Sequence, residues 1–338
     1  MSKSILITGG AGFIAHHAIE YILDQTDWNI ISLDRLDFSG NLNRIQEVVG
    51  GREDKGRVKI IHHDLKAPLN SQIITSIGSV NYIAHLAAGS HVDRSIYYPM
   101  EFVLDNVVGT ANILEYAKSL NALDKFVYFS TDEVFGPAPK GVNYKENDRY
   151  NSTNPYSASK AGAEELVVAF ENTYQMPNII THTMNVFGER QHPEKFIPMC
   201  IKRILKGEKI LIHGNKEKTI AGSRHYIHAK DVASALVFLL TSPTPSIPDE
   251  TGIKCPKFNI VGAEEIDNFS LASSIALVLN KKLNYEIIDF HSSRPGHDLR
   301  YALSGEKMKQ LGWTPNEVYD NLKQTANWSV ENPRWLQS

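Results

Sequence analysis

The chain has 338 residues, 42% of them hydrophobic, with 35 Lys and Arg against 38 Asp and Glu. This near-neutral balance gives no basic stripe for nucleic acid, and no apolar run is long enough to cross a bilayer, so neither partner is expected. Cys200 and Cys255 are too few for a disulfide framework, and they and the thirteen scattered histidines lack metal-ligand spacing, so no metal is expected either.

Residues 4–8 read as a first strand, with no signal peptide before it, which fits a cytoplasmic setting. Gly9-Gly10-Ala11-Gly12-Phe13-Ile14-Ala15 follows, then an amphipathic helix to about residue 24. A strand, a glycine turn and a helix in that order suit a dinucleotide. Gly9 permits the tight turn, Gly12 lets backbone approach the pyrophosphate, and Ala15 lets the helix pack on the sheet. The helix start, with Phe13 and Ile14, then offers N–H groups to the phosphates.

Residues 29–34 read as a second strand ending in Asp34. An acid there hydrogen-bonds a ribose 2′-hydroxyl and repels a 2′-phosphate, which favours NAD; Arg35 beside it could receive that phosphate and argues the other way. Residues 58–62 read as a third strand, with Asp64 and Leu65 beyond it near the expected adenine, although Asp64 also suits a plain turn. A fourth strand over 82–86 runs from Leu86 into the small residues Ala87, Ala88, Gly89 and Ser90, which would let backbone lie against the cofactor. Residues 91–95 read as a polar loop, and 99–120 as one long helix. Asn106 inside it is a buried hydrogen-bonded residue, a support for the site, or both.

Residues 125–129 read as a buried parallel strand ending in Ser130-Thr131-Asp132-Glu133. Ligands of open α/β sheets collect beyond the carboxyl ends of strands, and two acids there suggest paired proton transfers. The bland alternative is a polar loop or cap. Residues 136–154 read as a surface loop. Asn154 and Pro155 then start a helix over 156–174 that carries Tyr156 and Lys160 on one face. An ammonium beside a phenol lowers the phenol's pKa and gives a base near neutrality. A sixth strand over 178–185 completes the alternation expected of a doubly wound parallel sheet.

From residue 186 the pattern changes. Helices are expected over 196–206, 231–240 and 270–279, and strands over 209–213 and 223–228. Residues 242–248 read as a surface connection and 294–300 as a basic turn. The expected fold is α/β: a Rossmann-type doubly wound sheet over 1–185 and a smaller mixed α/β substrate-binding part over 186–338. Segments near 222–262 are expected to return to the first part.

These residues resemble the extended short-chain dehydrogenase/reductase family, in its NAD-dependent epimerase/dehydratase group, and most of all the nucleotide-sugar 4,6-dehydratases. The resemblance runs nearly end to end. It is carried by the glycine turn from Gly9, Gly-Asn-Leu from Gly40, Ser-His-Val-Asp-Arg-Ser from Ser90 and Ser-Thr-Asp-Glu-Val from Ser130. Pro-Tyr-Ser-Ala-Ser-Lys from Pro155, Pro-Glu-Lys from Pro193 and Arg-Pro-Gly-His-Asp from Arg294 extend it. The Thr-Asp-Glu triplet is the most specific part.

The resemblance implies an NAD-dependent dehydratase acting on dTDP- or UDP-glucose. Tyr156, with Lys160, would take the 4-hydroxyl proton while hydride passes from carbon 4 to NAD. Glu133 would then take the carbon 5 proton, Asp132 would protonate the departing 6-hydroxyl, and Thr131 would hold the 4-hydroxyl. The alternative for Asp132 is that it only orients Glu133. The resemblance also implies that Ser90, Arg94, Asn185, Glu194, Lys195, Arg224, Asn259, Arg294 and His297 line the sugar-nucleotide site. The two arginines Arg224 and Arg294 would meet the diphosphate. It further implies a homodimer built on the helices near 99–120 and 156–174. Four departures fall on the substrate side: Gly89 for Glu, Val186 for Asn, Gly188-Glu189-Arg190 for a Gly-Pro turn, and His225-Tyr226 for Asp-Trp. Two other readings are a 4-epimerase or decarboxylase of the same family, which leaves the acid pair unexplained, and a non-catalytic NAD-binding protein.

Overall fold

A computed structural model of the chain describes residues 2–37, 39–243, 255–289 and 299–337. Its first half alternates strand and helix: β1 Ser4–Thr8, α1 Phe13–Gln25, β2 Asn29–Asp34, α2 Leu42–Val49, β3 Val58–His62, α3 Ser71–Ile77 and β4 Tyr82–His85. Three short helices follow, α4 Val92–Tyr97, α5 Pro99–Phe102 and α6 Gly109–Lys118, then β5 Lys125–Thr131, α7 Pro155–Tyr174 and β6 Asn178–Thr183. The second half holds β7 Val186–Phe187, α8 Phe196–Lys206, β8 Ile210–Gly214, β9 Ser223–His225, β10 Ile227–His228 and α9 Ala229–Thr241. The chain ends with β11 Lys257–Ile260, β12 Glu265–Asp267, α10 Asn268–Val278, β13 Tyr285–Asp289, α11 Glu306–Gln310 and α12 Val318–Glu331.

Seven strands form one parallel sheet in the order β11-β6-β5-β4-β1-β2-β3. Alternate residues of each strand serve opposite faces. Ile5 and Ile7 pack beneath α1 and α9 with Ile19, Ile22, Leu236 and Leu239. Leu6 and Ile83 pack on the other face with Ile113, Phe126 and Ile180. Strand order reverses between β1 and β4, so helices leave that point on opposite faces and open a crevice at the strands' carboxyl ends. The second half returns to this sheet through β11, which pairs with β6, and through α9, which lies on α1. A third apolar cluster joins Ile197, Ile201, Ile210, Ile212, Leu271 and Leu322 beyond the crevice.

Several local expectations are corrected. Residues 91–95 are not a polar loop, because α4 forms over most of them and Val92 packs with Phe102 and Tyr156. The 99–120 helix is found as an unbroken run to Lys118, but it is not α-helical throughout: it widens into a π-type turn over Val103–Val108 between α5 and α6. Asn106 sits in that turn, where the extra residue per turn aims its side chain at Gly89 and Ser159. The 136–154 segment is not simply a surface loop. Its Ala138, Glu146 and Asn154 are buried, and Glu146 accepts from the Asn259 N–H. The expected 223–228 strand breaks at Tyr226, since β9 pairs antiparallel with β12 whereas β10 pairs parallel with β7. The expected connection over 242–248 lies outside the described residues from 244, and the basic turn over 294–300 lies outside them up to 298.

Candidate active site

The crevice widens into a cavity of about 560 Å³. One end is built by the β1–α1 turn. Gly9 has φ +71, and a Cβ there would sit 2.8 Å from the Ala87 Cα, so the turn and the β4 exit touch backbone to backbone. A Cβ on Gly12 would lie 2.8 Å from the Gly9 carbonyl oxygen. Gly12 begins α1 with no side-chain cap, which leaves the first-turn N–H groups for an anion. Phe13, Ile14, Leu86, Ala87 and Ala88 complete this wall.

At the end of β2, Asp34 accepts from the Ala11 N–H at 3.0 Å and the Leu36 N–H at 2.7 Å. Burial pushes its carboxyl up, against those two bonds. Arg35 is already engaged: its guanidinium donates to both oxygens of Asp105 at 2.5 and 2.9 Å and to Asp37 at 2.5 Å. A guanidinium held by two carboxylates is poorly placed to receive a further phosphate. Asp64 and Leu65 line the same end.

At the centre, β5 carries Ser130 and Thr131 to the cavity, and a tight turn over Asp132–Phe135 follows. Thr131 donates to Asp132 Oδ1 at 3.1 Å and caps the turn by accepting from the Glu133 N–H at 3.3 Å. Asn154 caps α7 and donates from its amide to Glu133 Oε2 at 2.9 Å, so one residue positions both the carboxylate and the helix that carries Tyr156. The two acids differ in environment. Asp132 is buried, its Oδ2 has no hydrogen-bond partner among the described residues, and Glu133 is half-buried. Burial, with the Glu133 charge adding to it, pushes the Asp132 carboxyl up to about 7.

Tyr156 hydrogen-bonds Thr131 and stands close enough to Glu133 and Asp132 to feel both charges. The expectation that Lys160 lowers its pKa is corrected. Burial and the Glu133 charge push the phenol up, against the Thr131 bond. The Lys160 ammonium instead donates to the Phe129 carbonyl at 2.6 Å and lies 4.2 Å from the Tyr128 ring centre. Burial pushes Lys160 down to about 7, opposed by Glu164.

The far end is lined by Ser90, Asn185, Glu194, Lys195 and Arg224. Arg224 donates to the Ser223 and Leu299 carbonyls, both at 2.7 Å, and lies over the Tyr301 ring. Three of the expected residues that the structure describes do not line the cavity. Asn106 stands behind it and fixes Gly89 through both backbone groups, at 2.8 and 3.1 Å. Arg94 lines an adjoining hollow with Gly89, Glu101 and Phe102. Asn259 is wholly buried, and its amide is used by His182, the Tyr144 carbonyl and the Ser304 carbonyl, so it is corrected from a ligand residue to an internal tie. Arg294 and His297 lie outside the described residues. The wall also holds Tyr226, one of the departures noted on the substrate side, and Arg44, Gln191, His192, Asn268 and Tyr301, which sequence reasoning missed. Arg44 is buried and ties the Ala11, Ser39 and Arg190 carbonyls together, a role with no local motif.

The chain matches the family model described as GDP-mannose 4,6 dehydratase over residues 6–325. It belongs to that family. Among curated relatives, the dTDP-glucose 4,6-dehydratase of Escherichia coli is 35% identical over 361 residues, covering 98% of this chain and 95% of that protein. A trifunctional UDP-glucose 4,6-dehydratase, epimerase and reductase of Arabidopsis thaliana is 35% identical over 340 residues, covering 98% of this chain and 48% of that protein. Among solved structures, the dTDP-glucose 4,6-dehydratase of Bacillus anthracis in complex with NAD superposes with a TM-score of 0.84 at 31% identity, over 99% of this chain and 98% of that one. As a family member the chain therefore carries its glycine turn, acid pair and tyrosine in one crevice of the sheet. Among the described residues, no helix is long and apolar enough to cross a membrane.

Proposed function

We propose that this family member is an NAD-dependent nucleotide-sugar 4,6-dehydratase that converts dTDP-glucose, or UDP-glucose, to the 4-keto-6-deoxy sugar and water. The observation that carries the reading is the adjacent pair Asp132 and Glu133, placed with Tyr156 in one cavity but in unequal surroundings. The cradle at Gly9 and Gly12, the uncapped start of α1 and the engaged Arg35 fit NAD. When bound, NAD supplies a positively charged hydride acceptor that is regenerated within each turnover.

Each residue has a task that its surroundings support. Tyr156 takes the sugar 4-hydroxyl proton, with Thr131 in hydrogen-bond contact to hold that hydroxyl. Its ionisation works against burial and the Glu133 charge, so it depends on the positive charge that NAD supplies when bound. Glu133, held by Asn154, takes the proton from carbon 5. Asp132 keeps its proton because burial and the neighbouring charge disfavour a second anion, and it delivers that proton to the leaving 6-hydroxyl. Ser90, Asn185, Glu194, Lys195 and Arg224 hold the nucleotide diphosphate and sugar.

The division into a cofactor part over 1–185 and a substrate part over 186–338, with 222–262 returning to the first, belongs to this reading. A homodimer belongs to it too: Tyr97, Tyr98, Met100, Val103 and Leu104 leave an exposed apolar face on the stretch from α4 to the π-type turn. The cytoplasmic placement is consistent with two buried free cysteines.

A screen of dTDP-glucose, UDP-glucose, GDP-mannose and CDP-glucose tests the reading. One of the first two should lose water and yield a 4-keto product. A sugar returned with its mass unchanged but its carbon 4 inverted would show an epimerase instead.

The role of Asp132 adds a pH signature. It must be protonated to act as an acid, and its protonated fraction falls as pH rises past about 7. Elimination should slow about tenfold per pH unit well above that point. Asp132→Asn should leave oxidation in place and slow elimination by roughly 10²–10⁴-fold. Rapid mixing that follows the two steps separately checks this; wild-type elimination that stays level from pH 6 to pH 9 contradicts it.

A further inference from the structure

One cation in the cavity wall has no counter-ion among the described residues. Arg44, near the start of α2, is only 4% exposed, and it lines the cavity at the β1–α1 turn. Its three hydrogen bonds all go to backbone carbonyls: from Nη1 to Ala11 at 3.1 Å and to Ser39 at 2.7 Å, and from Nε to Arg190 at 3.1 Å. The acids nearby are engaged elsewhere. Asp34 accepts from the Ala11 and Leu36 N–H groups with its two oxygens. Glu47, on the same helix, accepts from Arg190, Arg334 and Trp335. Burial pushes the Arg44 guanidinium down to about 10, with Asp34 opposing the fall and Arg190 adding to it, so the group is still charged at neutral pH.

A buried charge is ordinarily paired. Arg44 has a donor left with which to pair. Its other terminal nitrogen, Nη2, has no hydrogen-bond partner among the described residues, yet it is not sealed inside the protein. The Trp335 ring centre lies 5.7 Å from the guanidinium carbon, and the cavity is the open space that the side chain lines. The Ala11 carbonyl that Arg44 holds stands next to Gly12, where α1 begins with its first-turn N–H groups uncapped. A helix start with unused donors and a buried guanidinium with an unused donor therefore meet at one place. An anion there would satisfy both. The diphosphate of the substrate has Arg224 at the far end of the cavity, so the anion at this end is that of the cofactor.

We propose that Arg44 is a cofactor-binding residue, whose Nη2 donates to the pyrophosphate of NAD and whose charge is the counter-ion of that group. This rests on the reading of the β1–α1 turn as the dinucleotide site.

Arg44→Met keeps most of the side chain's length and removes the charge. ADP and adenosine share base and ribose and differ in the diphosphate, so the two isolate the contact. NAD, ADP and adenosine are titrated into the full-length protein, with affinities read by calorimetry and, for adenosine, by NMR. Loss of one hydrogen bond between charged groups should weaken NAD and ADP by about 10- to 100-fold, and adenosine by less than about threefold. ADP binding should also become less sensitive to salt. If Arg44 only ties the Ala11, Ser39 and Arg190 carbonyls together, its loss loosens the whole turn and adenosine weakens as much as ADP. That result, or an unchanged affinity for ADP, overturns the proposal. If Arg44→Met does not fold, the wild-type guanidinium signals carry the test. The signal absent from the spectrum of Arg44→Lys should shift when ADP is added and stay in place with adenosine; a signal that ADP leaves in place overturns the proposal. Wild type is titrated first. If it binds neither NAD nor ADP, the dinucleotide reading fails and the proposal with it. If wild type binds both and Arg44→Met binds them equally well, only the role of Arg44 fails.

Discussion

Glu133→Gln should stop dehydration while leaving the first oxidation in place. Glu133 is half-buried at the cavity and accepts from the Asn154 amide, and a glutamine can keep that bond through its own carbonyl oxygen. The turn over Asp132–Phe135 and the start of α7 are held by Thr131, Asn154 and Ser157, none of which the change removes. What is lost is the base that takes the carbon 5 proton. Loss of a positioned general base costs roughly 10²–10⁴-fold in rate. The blocked enzyme should accumulate the absorbance of reduced nicotinamide on mixing with substrate and release no water. Elimination at close to the wild-type rate would transfer the base role to another group.

Tyr156→Phe should fail earlier. Phenylalanine keeps the ring and its packing with Val92 and Phe102, the latter an edge contact at 6.3 Å between ring centres. The hydroxyl that meets Thr131 is gone. No group remains to take the 4-hydroxyl proton, so oxidation should fall by roughly 10²–10⁴-fold, and every later step with it. Rapid mixing should show no reduced nicotinamide, in contrast with the accumulation expected of Glu133→Gln. A folded Tyr156→Phe protein that still accumulates it would remove Tyr156 from the base role.

Together the two variants separate one cavity into its steps. They also show which parts of the site the sequence could reveal. The glycine turn, the strand ending in Ser130 and Thr131, and the helix begun by Asn154 and Pro155 are set by neighbours in the chain. Apolar runs, a capping side chain and a proline at the first helical turn are local signals, and the structure follows them. The acid pair was legible for the same reason, since Asp132 and Glu133 are adjacent on one turn.

What escaped the sequence depends on contacts across the fold. The Lys160 ammonium meets the Phe129 carbonyl, a backbone acceptor that no residue type announces. Burial decides the acidity of Tyr156 and Lys160, and burial is a tertiary property. Asn259 looked like a ligand residue by resemblance, yet it faces His182 and the interior. Glu164 reads as a plain helix charge until β5, β6 and β11 close around it. Likewise, the π-type turn at Asn106 has no composition signal; Gly89 and Ser159 shape it from 17 and 53 residues away.

The fate of one hydrogen tests the central claim most directly. Wild-type enzyme is incubated in ordinary water with nucleotide-linked glucose that carries deuterium at carbon 4, and the product is read by mass and NMR. The account predicts a sugar lighter by one water, with deuterium moved to carbon 6 and a solvent hydrogen at carbon 5. An intact sugar with its deuterium still on carbon 4 would contradict it.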